Sequence, residues 1–68
     1  MVLSVEFARE EDGRWIADIP ALPGVMTYGN SRDDALKAVE ALALRVLAER
    51  LEHGESRAHS IKISIAAA

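Results

Sequence analysis

Residues 10–24 read EEDGRWIADIPALPG, and the fold turns on this stretch. Asp12-Gly13 is among the strongest short-range hairpin signals, because glycine accepts the positive φ that such a turn requires. The residues after it alternate. Trp15, Ala17 and Ile19 fall on one face, and Arg14, Ile16 and Asp18 on the other. A period of two predicts a half-buried strand from Arg14 to Ile19. Pro20 cannot donate to a sheet ladder and closes it. Pro23-Gly24 then matches the central pair of a type II turn, with proline fixing φ first and glycine taking the positive φ next.

The neighbouring segments complete the pattern. Upstream, Leu3, Val5 and Phe7 alternate with Ser4 and Glu6, which predicts a first strand over 2–9 antiparallel to the second. Downstream, Val25 to Tyr28 is a short third strand broken by Gly29-Asn30. Ser31, followed by Asp33 and Asp34, caps a helix expected from Arg32 to His53, with Gly54 as its stop. Alternation returns from Ala58 to Ile65, with Ile61, Ile63 and Ile65 facing one way. The class is α+β, in the order β-β-β-α-β. A right-handed crossover returns the last strand parallel to the first. The sheet face away from the helix then carries Ser4, Glu6, Arg14, Ile16, Asp18 and Lys62, a largely polar set.

The chain has 68 residues, half of them hydrophobic and 28% charged, with no cysteine. That describes one globular domain spanning residues 1–68. It excludes a multidomain enzyme, a disulfide scaffold and a cysteine-ligated metal site. A domain this small buries only roughly 60% of its unfolded surface, so association with a partner is expected. Eleven acids against eight bases give a net charge of −3. Phosphate neutralisation by lysine and arginine is a poor fit to that balance. The N-terminus lacks the basic start of a secretory signal, and no apolar run approaches the ~20 residues of a membrane span. A cytoplasmic protein is expected.

The helix carries more apolar surface than one sheet covers. Ala35, Leu36, Val39, Leu42, Ala43, Val46 and Leu47 fall in one arc at 100° per residue. Leu44 and Leu51 lie outside it, and with Leu47 at its edge they form an i, i+3, i+7 stripe suited to a helix–helix contact. A homodimer or larger homo-oligomer is the simplest expectation.

Candidate chemistry is thin. Glu6, Asp18 and Glu40 suggest a metal nuclease, but such sites need several convergent carboxylates, and these acids could meet only round a sheet edge. His53 and His59 lack further ligands. No phosphate-binding glycine loop, nucleophile constellation or cofactor site is present, so no catalytic residue, metal or cofactor is expected.

The run from Glu11 to Gly24, followed by Gly29-Asn30-Ser31-Arg32-Asp33-Asp34-Ala35-Leu36, resembles the N-terminal domain of the HicB family of antitoxins. The shared elements are an acidic D-G hairpin, an aromatic strand, a proline-bounded loop ending in P-G, and a glycine before a capped helix with an Ala-Leu pair. The resemblance implies a partial RNase-H-like fold without nuclease activity. It also implies an antitoxin of a type II toxin–antitoxin system that occludes a HicA-type RNA-cleaving toxin. A toxin that handles RNA is expected to be basic, and an acidic partner is steered toward it. The candidate toxin contacts are Glu6, Arg14, Ile16, Asp18 and Lys62 on the sheet face, with Pro20, Leu22, Pro23 and Gly24 in the loop. Many members add a DNA-binding unit after this domain. None is readable before Ala68, so no direct nucleic-acid binding is expected. The alternative is a solitary oligomeric binding or scaffold module that reuses the fold without a toxin.

Overall fold

The computed structural model describes residues 2–54 and 64–67. Strands β1 (Val2–Arg9), β2 (Trp15–Asp18) and β3 (Met26–Gly29) precede helix α1 (Arg32–Glu52), and β4 (Ser64–Ala67) follows it. The fold is α+β in the expected order. The strands form one sheet in the order β3-β2-β1-β4. β1 pairs antiparallel with β2 and parallel with β4, and β2 pairs antiparallel with β3. The crossover through the helix therefore returns the chain parallel to its first strand. Of the strand expected over 58–65, residues 58–63 lie outside the described residues, as do His59 and Lys62.

Strand ends differ from the sequence reading because turns claim them. Arg14 belongs to the hairpin loop: its amide donates to Asp12 Oδ1 at 3.0 Å, while its carbonyl accepts from the Glu10 amide at 2.7 Å. Gly13, at φ +90°, donates back to the Glu10 carbonyl. Ile19 stands opposite Val25 in the same register and its amide donates to the Val25 carbonyl at 3.1 Å, the last rung before the loop, so β2 ends one residue short of the expected boundary. Within that loop the Val25 amide closes onto the Leu22 carbonyl at 3.0 Å, with Pro23 and Gly24 (φ +86°) between them. This is the type II geometry expected of Pro-Gly.

The core lies between helix and sheet. Leu3 and Val5 of β1, Ala17 of β2, Ile19, Leu22 and Val25 of the loop, and Ala35, Val39, Ala43 and Leu47 of α1 are buried. Phe7, Trp15, Leu36, Leu42, Val46 and Ile65 pack around them. The spacing Ala35, Val39, Ala43, Leu47 is one face of a 3.6-residue helix. Its start is fixed by Ser31, whose Oγ accepts from the Asp34 amide at 3.1 Å; such a cap contributes about 1 kcal/mol. Two contacts seat this end on β3. Thr27 Oγ1 donates to the Ala35 carbonyl at 3.0 Å. Gly29 lies so close to the helix that an added Cβ would come within 2.9 Å of both Ala35 Cα and the Asp34 carbonyl carbon. At the other end the Gly54 amide, from a residue at φ +71°, bonds the Leu51 carbonyl.

Candidate functional site

Cross-strand register decides what the outer sheet face presents, because residues directly opposite one another share a face. One row joins Ala8, Ile16 and Tyr28. The next joins Glu6, Asp18 and Met26. Met26 and Tyr28 are 50% and 48% exposed, and Val2 at the far end of β1 is 69% exposed. Arg14 stands at the top of this face with its guanidinium 4.8 Å from the centre of the Tyr28 ring. Its Nε also donates to Asp12 Oδ2 at 2.8 Å. The Arg14 amide, and after it the guanidinium, hold the Asp12 carboxyl below its ordinary range.

The face expected to be largely polar is therefore mixed. Across β2 and β3 it carries an apolar strip of Ile16, Met26 and Tyr28 beside two carboxylates, Glu6 and Asp18. Sequence reasoning missed Met26 and Tyr28, and the signal was present. If Val25 and Thr27 point to the helix, the residues between and after them point away.

The expected contact residues divide clearly. Glu6, Arg14, Ile16 and Asp18 share this face, with Glu6 and Arg14 exposed and Ile16 and Asp18 half-buried. Pro20, Pro23 and Gly24 are exposed in the loop. Leu22 is not available: only 3% exposed, it turns inward and plugs the core beneath the loop. A partner cannot touch it without opening the domain. Lys62 lies outside the described residues.

The helical stripe is corrected in the same way. Leu44 is 51% exposed, but Leu47 is 8% exposed and packs in the core, while Leu51 is half-buried. Leu47 sits on the edge of the inward arc, and the sheet takes it. The outward stripe reduces to Leu44 and Leu51. Among the described residues no group of three or more His, Asp or Glu side chains converges as a metal site would require. Glu40 is on the helix, and Glu6 and Asp18 are on the opposite side of the sheet. No helix of the described residues is long and apolar enough to cross a membrane.

These features define a small two-layer α+β domain with an open, mixed apolar and acidic sheet face. The chain belongs to the UPF0150 family: it is 36% identical over 56 residues to the UPF0150 protein Ta0767 of Thermoplasma acidophilum, a span covering 81% of this chain and 80% of that protein. No family model matches the chain, and no solved structure gives a significant match.

Proposed function

We propose that this protein is a HicB-like antitoxin, a non-catalytic cytoplasmic domain that binds and occludes a HicA-type RNA-cleaving toxin. The observation that carries the reading is the motif run of residues 11–36, in which each punctuating residue has a physical task in the fold. Gly13 and Gly24 hold positive φ, Gly29 admits the helix, and Ser31 caps it. These residues of the run therefore act together in the fold, which supports reading the resemblance as a whole. Membership of the UPF0150 family is compatible with this reading. So is the net charge of −3, which favours a basic partner.

Co-expression tests it. A HicA-type toxin encoded beside this chain should arrest growth when induced alone and cease to do so when the chain is present, with the two proteins co-purifying. Persistent arrest without a complex would refute the reading.

Self-association through the outer helix face belongs to the same proposal. Leu44 is half exposed and Leu51 follows two turns later, so two copies related by a two-fold axis can cover both. Leu44→Glu with Leu51→Glu is expected to give a monomer by sedimentation. An unchanged mass for the double variant counts against that interface.

A further inference from the structure

The open sheet face combines an apolar strip with a facing pair of acids. Ile16, Met26 and Tyr28 present contiguous apolar surface across β2 and β3. Directly beside them, Glu6 and Asp18 stand opposite each other on adjacent strands. Like charges in such a pair destabilise the sheet that carries them. No ion pair neutralises either one among the described residues. Arg14, a cation of this face among the described residues, is already engaged with Asp12 and stacked on Tyr28.

We infer that this face is a docking surface for a protein that inserts a lysine or arginine side chain between Glu6 and Asp18 and lays apolar residues on Ile16, Met26 and Tyr28. Charge decides among the occupants. Among the described residues, a second copy stacked on this face would bring four carboxylates together against two Arg14 side chains, each already paired with Asp12. Nucleic acid and anionic lipid meet the same carboxylates with like charge. A basic protein gains twice, since its cation relieves the Glu6–Asp18 repulsion while its apolar surface covers the strip. The inference rests on the antitoxin reading and assigns the toxin's contact chemistry within it.

The test uses the whole chain and the HicA-type toxin. Amide shifts of the labelled chain should move on adding toxin at Glu6, Ile16, Asp18, Met26 and Tyr28. Glu6→Lys with Asp18→Lys should weaken the complex by at least about 100-fold. Its melting temperature should stay near that of the parent, because one like-charged pair replaces another. Tyr28→Ser with Met26→Ser should weaken binding independently of salt, and the charge reversal chiefly at low salt. A complex that forms normally with the reversed chain, or shifts confined to the Leu44–Leu51 face, would overturn this surface and leave the antitoxin reading standing. A reversal that changes the chain's own mass but not toxin binding would assign the face to a second copy and overturn it too. Absence of any complex would remove the antitoxin reading and this inference with it.

Discussion

Gly29→Ala is expected to lower the melting temperature by about 15 °C, measured by circular dichroism, which corresponds to roughly 3 kcal/mol in a domain of this size. The cause is close approach. Gly29 sits in β3 where the first turn of α1 crosses it, and the added methyl would run into the backbone of Ala35 and Asp34. Backbone atoms cannot turn aside as a flexible side chain can. Relief requires lifting the helix start off the strand, which strains the Thr27–Ala35 hydrogen bond and loosens Ala35 and Val39 in the core. Small domains hold on the order of 5 kcal/mol in total, so a loss of this size removes more than half of the stability. Gly24→Ala is the control. Its Cβ would meet nothing within 4 Å, so only the positive φ of +86° is penalised, at about 1–2 kcal/mol. Equal shifts for the two variants would contradict the close-approach account.

Ile19→Ala is expected to cost about 4 kcal/mol, read from urea unfolding. Ile19 is fully buried and heads the largest enclosed side chains, with Val5 and Val39. Alanine keeps the amide that bonds Val25, so the loss isolates the side chain and the cavity it leaves. Ile16, three residues earlier on the outer face, is the counterpart. Ile16→Ala should cost less than about 1 kcal/mol, since it removes area without opening a closed cavity. Similar costs at the two sites would mean that β2 presents a different face to the helix.

The sequence made β1 and α1 legible because their signals are local. Strict alternation over 2–9 and a Ser31 cap followed by a 3.6-residue apolar spacing do not depend on distant pairing. The ends of β2 were not legible. Whether Arg14 joins the ladder or the turn depends on its amide finding Asp12, and where β2 ends depends on how the loop from Pro20 to Gly24 closes beyond the Ile19–Val25 rung. Two misplaced contact residues share one cause. Leu22 and Leu47 were read from position, in a loop and on a helix edge, whereas their burial is set by the space left in the tertiary core. Tyr28 and Met26 were missed differently. Their outward phase follows from Val25 and Thr27, but their neighbours Ile16 and Asp18 follow only from register, a long-range property. The candidate face was half visible: its charges could be read in β1 and β2, and its apolar strip needed β3 in place.

Gly29 serves both the motif and the packing of the helix. In the sequence it is one element of a HicB-like run, and in the fold it is where helix and sheet touch. The motif at this position is thus required by the fold itself. We propose that the domain silences a toxin by covering it. The most direct measurement is RNA cleavage by the purified HicA-type toxin as this protein is added. Cleavage should fall to background near stoichiometric addition, with no RNA bound by this protein itself. Cleavage that continues undiminished at saturating protein would contradict the account.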